Sequence, residues 1–357
     1  MLPSIKLFNI MTKRLQWVDV AKCITIYLVV LAHMFLENQW LWSYIYSFHM
    51  PLFFLISGML HKDDSFKTVV SKSTKRLLVP YAFFFCISYV WWIYFAYIRN
   101  SSGMYPPVSV EGCIMKPLLG MLLGNLHHTS YSYSTNVALW FLIALFEMKI
   151  LMTVFLRVKT LLFKYLLICL WFVATWFVVQ CEMELIYSLS SMLKSLPYFF
   201  AGYYIKGIIS EHNLSDKPMR AVAICVLSVF VSAYGNTLLM NAEIGSPAVR
   251  YLFSTLLAPC GILMLVSFSM SLSPLTEKGM IARSIRYISD NTLSIMGIHI
   301  LFNGTMSGFV KIVLDVNTSA MPLPIALGIA SCSMIGSLIF AAFMNKYSPT
   351  LIGVIKK

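Results

Sequence analysis

Charge is what this sequence has least of. Only 11% of its 357 residues are Asp, Glu, Lys or Arg, against about 25% in a soluble globular domain. So few ionised groups cannot clothe an ordinary water-facing surface, and the composition reads as that of an integral membrane protein rather than a soluble globular domain. Acids are the scarcer sign, 14 against 27 bases. Cysteines are few and scattered. Cys23, Cys86, Cys169, Cys225, Cys260 and Cys332 lie in apolar segments, and no spacing suits a disulfide framework or a zinc site. Cys113 and Cys181 fall where a disulfide is conceivable, yet all eight read as packing residues and no metal site is expected. Period-2 alternation is missing, which excludes an outer-membrane barrel. There is no visible internal repeat, no low-complexity tract and no appended soluble domain. The chain therefore reads as one integral-membrane domain over 1–357, with its core at about 14–345.

Apolar residues fill the gap, at 59% of the chain. A helix needs roughly 17 to 25 mostly apolar residues to cross the hydrocarbon core. About ten such stretches occur, near 18–36, 44–60, 77–98, 136–156, 161–180, 192–209, 219–240, 248–272, 287–303 and 322–344. The expectation is an all-α polytopic membrane protein of about ten transmembrane helices.

The net charge of +13 invites a nucleic-acid reading, but its placement argues against one. With a cytoplasmic N-terminus and ten alternating helices, only Arg99, Lys116, Lys194, Arg250 and Lys311 fall on the far side, leaving 22 of the 27 bases inside. That skew is the positive-inside rule, and it predicts that both termini are cytoplasmic. Lys6, Lys13 and Arg14 before an apolar run imitate a signal peptide. The run is too long, carries Lys22 and His33 and lacks a small-residue cleavage site, so it is expected to be retained.

The segment "WVDVAKCITIYLVVLAH", residues 17–33, puts three titratable groups on the first apolar stretch. At about 100° per residue, Lys22 and His33 lie only ~20° apart on a helix, with Asp19 ~60° to one side. The rise of ~1.5 Å per residue puts His33 about 16 Å deeper than Lys22. Asp19 and Lys22 could simply pair at i, i+3 near the interface. His33 lies well past it, where ionisable groups usually serve function. The second stretch opens "SFHMPLFFLISG", residues 47–58, with His49 at a depth comparable to His33. His49 is either a second chemical group or a buried imidazole bonded to a carbonyl. Pro51 removes a backbone donor there, and Ser57 with Gly58 permits close helix approach.

The longest loop, about 99–135, falls on the outer side and is rich in Gly, Ser, Tyr and His; loops of that length are usually functional or disordered. The loop 61–76, "HKDDSFKTVVSKSTKR", is short, basic and cytoplasmic. Trp40, Trp42, Trp91 and Trp92 fit an aromatic belt and need no catalytic role. Glu147 stands near Lys149 as an ion-partner candidate, and Asp290 belongs to an interface.

Lys22-x10-His33 after Asp19, then "FHMPLFFLISG", then a basic loop running into "KRLLVPY", resembles the acyltransferase family 3 membrane proteins. The match is closest to the branch of fucose 4-O-acetylase-like sugar acetyltransferases. "ALWFLIALF" (138–146) and "YISDNTLSIMGIHILF" (287–302) resemble later family helices in the same order, so the resemblance spans nearly the whole chain. It implies O-acylation of carbohydrate, with acetyl-CoA as the usual donor and an Arg/His pair on the first helix. Carried over, His33 is the catalytic histidine and Lys22 takes the arginine's place, a departure because Lys lacks the planar fork of Arg. Lys72, Lys75 and Arg76 resemble the family's Arg-x3-Arg pattern, with Lys first; ordinary positive-inside charge explains them equally well.

The expected chemistry follows. Basic residues at Lys72, Lys75 and Arg76 suit the donor's phosphates, and Asp19 and Lys22 lead inward. His33, with an imidazole pKa near 6.5, takes the acceptor hydroxyl's proton while His49 orients or relays, or else His33 carries the acyl group covalently. His299 either lines the acceptor pocket or bonds a carbonyl. His127, His128, Tyr131 and Tyr133 form an outer cluster that either contacts sugar or decorates the interface. The reading is a multi-pass enzyme of the bacterial plasma (inner) membrane that moves an acetyl or other acyl group from acyl-CoA to a carbohydrate. No cofactor is resident, and the partners are donor, acceptor and bilayer. The alternatives are a transporter or flippase and a nonenzymatic subunit of a polysaccharide synthesis system.

Overall fold

The computed structural model describes residues 14–34, 36–101, 114–124, 134–211, 218–241, 246–276, 278–316 and 320–355. Among them lie thirteen α-helices. In chain order α1 is Gln16–Ala32, α2 Gln39–Met59, α3 Phe66–Ser73 and α4 Val79–Ser101. Then come α5 Lys116–Leu122, α6 Trp140–Arg157, α7 Leu161–Gln180, α8 Leu189–Glu211 and α9 Pro218–Asn241. The chain continues with α10 Pro247–Leu272, α11 Gly279–Asp290, α12 Thr292–Leu314 and α13 Leu323–Tyr347.

Each of the ten apolar stretches contains a helix, and length with composition marks seven helical runs as candidate crossings. Among the described residues seven helical runs are long and apolar enough to span: Phe66–Phe95, Val137–Arg157, Leu161–Gln180, Met219–Asn241, Pro247–Thr276, Thr292–Leu314 and Leu323–Tyr347. The three that fall short have physical reasons. α1 has 17 residues, about 26 Å of rise, against a core of about 30 Å. The first half of α2 is diluted by Gln39, Ser43, Ser47 and His49, and α8 by Ser190, Ser191, Lys194 and Ser195. The expected loop 61–76 is also helical from Phe66 onward, started by Ser65, whose hydroxyl accepts from the Thr68 N–H at 3.2 Å. The run continues into α4 through a wide π turn at Thr74–Leu78. The expected helix 287–303 is two helices, broken at Asn291, whose own N–H and side-chain amide bond back to the α11 end at Tyr287 and Ile288.

The chain forms two compact units. The first comprises Met1–His61, Pro197–Thr292 and Ser319–Leu323; the second comprises Lys62–Leu196, Leu293–Thr318 and Pro324–Lys357. In the first, α1 packs on α2, α10 and α11, and α9 lies along α10 and α2. Polar rungs fix α2 to α9: Trp40 to Thr237 at 2.9 Å, Ser43 to Asn236 at 3.1 Å and Tyr44 to Ser232 at 2.8 Å. Buried rungs of this kind set register where apolar packing alone is permissive. α2 and α8 approach so closely that a Cβ on Gly58 would stand 1.9 Å from the Phe199 carbonyl oxygen, and one on Gly202 the same 1.9 Å from that of Leu55.

In the second unit α3 and the π turn pack on α6, and the short turn Pro349–Ile352 packs on α4. Asn136, fully buried, donates to the Ser88 hydroxyl at 3.0 Å and to the Gly297 carbonyl at 2.8 Å, joining α4, α6 and α12. α7 leaves Leu162, Leu167, Ile168 and Phe172 exposed around its circumference. A helix apolar on every side suits lipid rather than water.

Candidate active site

The site grows from the two ends of α1, both within the first unit. At its start, Asp19 is 4% exposed. A bare carboxylate at that depth would be costly, and three charge-assisted bonds offset the cost. Arg14 donates through Nε at 2.6 Å and through a terminal nitrogen at 2.8 Å, and the Ser289 hydroxyl donates at 2.6 Å. The same guanidinium reaches Asp290 at 2.8 and 3.3 Å. Hydrogen bonding to Asp19 raises the Arg14 pKa above its ordinary value; burial opposes the shift and Asp290 reinforces it.

Lys22 does not pair with Asp19, contrary to the i, i+3 expectation. Its ammonium donates to the Ser289 backbone carbonyl at 2.6 Å, in the last turn of α11, where the helix dipole favours a cation. Ser289 is thus held from both ends, hydroxyl to Asp19 and carbonyl to Lys22. Arg14, Ser289 and Asp290 are partners that sequence reasoning missed. Arg14 stands five residues before Asp19, outside helical spacing, and nothing local links Ser289 to a residue 270 positions away. Asp290 was read only as an interface group.

At its far end α1 stops at His33, which caps it with φ −81° and ψ 1°. The turn is secured by the Glu37 N–H bond to the Met321 carbonyl at 3.0 Å and by Trp42, whose indole donates to the Ala32 carbonyl at 3.1 Å. Trp42 therefore holds the end of α1, a structural task the aromatic-belt reading did not foresee. The imidazole of His33 has its Nδ1 2.8 Å from the Val29 carbonyl. A carbonyl only accepts, so Nδ1 carries the proton and Nε2 carries the lone pair. His49 repeats the arrangement: Nδ1 lies 2.7 Å from the Ile45 carbonyl, and Nε2 is buried without a hydrogen-bond partner among the described residues. Both readings of His49 are thus met, a carbonyl-bonded imidazole with its other nitrogen unspent.

Tyr46 stands between them. Its ring is 6.3 Å from the His33 ring, tilted, and 4.9 Å edge-on from that of His49. Trp42 packs on its other side at 4.3 Å. Trp42, Tyr46 and His49 recur at i, i+4, i+7, the one signal that could have placed Tyr46 in the cluster. Between the two ends of α1 the stripe from Lys22 to His33 is packed: Ile26, Val29 and Val30 are 0%, 1% and 0% exposed. Lys22 and His33 share a face, and the face is closed.

The other expected site residues lie in the second unit or outside the described residues. Lys72 pairs with Asp64 at 2.7 Å, and Lys75 and Arg76 are exposed on the π turn. His299 is fully buried, its Nδ1 2.9 Å from the Ile295 carbonyl and 3.0 Å from that of Met296. Glu147 and Lys149, two residues apart, point to different sides of α6 and form no pair. Cys181 is a free thiol. His127, His128, Tyr131, Tyr133 and Cys113 fall outside the described residues.

A family model described as an acyltransferase domain, that of acyltransferase family 3, matches residues 15–342. The chain belongs to acyltransferase family 3. No curated protein and no solved structure matches it. Membership accounts for the pairing of a helical, apolar body with chemistry-bearing side chains on α1, and it makes this a multi-pass membrane acyltransferase.

Proposed function

We propose that this acyltransferase moves an acyl group, acetyl first, from acyl-CoA to a hydroxyl of a cell-envelope or exported carbohydrate. The observation that carries the reading is the His33–Tyr46–His49 cluster, in which a carbonyl holds Nδ1 of each imidazole and directs basicity to Nε2.

In the proposed reaction His33 Nε2 accepts the proton of the acceptor hydroxyl. The alkoxide oxygen bonds to the thioester carbonyl carbon, the carbon–sulfur bond breaks, and the proton passes from His33 to the departing CoA thiolate. Atoms and charge balance with no further reactant. General-base help of this kind is worth about 10²–10⁴ in rate. His49 orients the hydroxyl or relays its proton; its unspent Nε2 supports that role. In the covalent variant His33 itself holds the acyl group between two such steps.

Lys22 and Asp19 are proposed to face the donor on its way in, which requires the packed stripe at Ile26 and Val29 to part when the donor binds. Lys72, Lys75 and Arg76 are proposed to hold donor phosphates, and His299, His127, His128 and Tyr131 to contact the acceptor. Cytoplasmic termini and a bacterial inner-membrane address belong to the same proposal; the termini require α1, α2 and α8 to cross as well, giving the ten-helix arrangement in which the bases gather on one side.

The test is acceptor-dependent thiol release from acetyl-CoA by the detergent-purified protein alone. An enzyme releases thiol in proportion to added carbohydrate, whereas a transporter or a nonenzymatic subunit releases none. Mass spectrometry of envelope glycans from a deletion strain then identifies the acceptor as the glycan that loses an acyl ester.

A further inference from the structure

α11 is twelve residues long, about 18 Å, too short to cross a bilayer. It is the link between two crossings: the span Pro247–Thr276 ends just before it, and the span Thr292–Leu314 begins just after it. Consecutive crossings leave and re-enter at one face, so both ends of α11 belong to the same face. At 100° per residue its side chains divide into three sectors. Ala282 and Ser289 are buried in one. Arg283 and Arg286 occupy the next, both exposed and, among the described residues, without an ion-pair partner. The third presents Met280 at 82% and Ile281 at 60% exposure, and Leu275, just before the helix, is 76% exposed.

Bare apolar side chains beside unpaired arginines are poorly suited to water. A helix with one apolar side and one basic flank is suited to the plane of the bilayer interface. We infer that α11 is an interfacial helix whose Met280–Ile281 side enters the acyl region while Arg283 and Arg286 engage anionic lipid headgroups. Charge complementarity and the two flanking spans name the occupant as an anionic lipid surface. The far end of α11 carries Ser289 and Asp290, the partners of Asp19, Lys22 and Arg14. Lipid engaged by this helix therefore bears on the foot of α1 through one rigid turn. The inference does not depend on the acyl-transfer chemistry.

The full-length protein in nanodiscs of mixed phosphatidylglycerol and phosphatidylcholine tests it, with a photo-cross-linking residue placed at Met280 or Ile281. The expected result is a phospholipid adduct enriched in phosphatidylglycerol over the bulk mixture, on the order of fivefold for one basic contact. Arg283→Glu/Arg286→Glu should abolish the enrichment but keep the adduct, because the apolar side still inserts. Absence of a lipid adduct at both positions overturns the inference. Adducts that mirror the bulk composition overturn the headgroup assignment. Added CoA should leave the yield and enrichment unchanged; if CoA removes the enrichment, the basic flank serves a soluble phosphate and the lipid surface is the wrong occupant.

Discussion

The Lys22 ammonium and the Ser289 backbone carbonyl meet at 2.6 Å, and Asp19 takes the hydroxyl of the same serine. Two residues expected to face the donor are thus also the clamp between α1 and α11. Lys22→Ala should therefore do two things: raise the apparent KM for acetyl-CoA and lower thermal stability by about 1 kcal/mol for the lost bond. Lys22→Arg should restore stability more fully than donor affinity. Donor titrations paired with thermal unfolding in detergent separate the two effects. A pure stability loss with unchanged donor KM would confine Lys22 to the clamp.

Arg14 is the only guanidinium in that clamp. Arg14→Gln leaves the buried Asp19 carboxylate with a single charge-free donor, and the expected cost is about 1–3 kcal/mol, discounted because Arg14 itself is partly exposed. Arg14→Gln/Asp19→Asn should lose less than the sum of the single changes. A double-mutant cycle on unfolding temperature measures the coupling, and strict additivity would mean the pair is not energetically linked.

Tyr46 is predicted to work through its ring. Tyr46→Phe keeps both imidazole contacts and should retain near-normal turnover. Tyr46→Ala opens the gap between His33 and His49 and should lower kcat by about tenfold or more at little cost in donor KM, since misplaced catalytic groups lose rate steeply. Steady-state kinetics of the two variants decide it, equal activity in both being the unfavourable result.

Gly58 and Gly202 leave no room for a side chain. Gly58→Ala or Gly202→Ala pushes a methyl against a backbone carbonyl on the neighbouring helix. Overpacking of this kind costs about 1–3 kcal/mol and occasionally more. Each single variant should melt earlier than wild type in the same detergent, whereas Gly308→Ala, with open space around it, should not.

The length of the apolar runs was enough to find the apolar helices, because lipid-facing and core-facing residues are both hydrophobic and only run length marks them. Among the described residues length and apolarity single out seven spans, and α1, α2 and α8 stand apart because α1 is short and polar residues dilute the other two. His33 and His49 were legible for the same reason, as titratable groups on apolar helices. Their tautomers were not, since the deciding carbonyls of Val29 and Ile45 are backbone atoms that no side-chain pattern reveals. The Arg14–Asp19–Ser289 clamp was illegible because its contacts span 270 positions. The motif "YISDN" held Ser289 and the further Arg14 partner Asp290 without saying what they touch. Arg76 and Lys75 could be read only as charge, since a basic run beside an apolar helix looks the same whether it binds phosphate or sets topology.

His33 carries the account. Purified His33→Gln and His33→Ala, each checked for wild-type unfolding temperature and retained CoA binding, should release acceptor-dependent thiol from acetyl-CoA at least about 10²-fold more slowly than the parent protein. Turnover within a few-fold of the parent in both variants would contradict it.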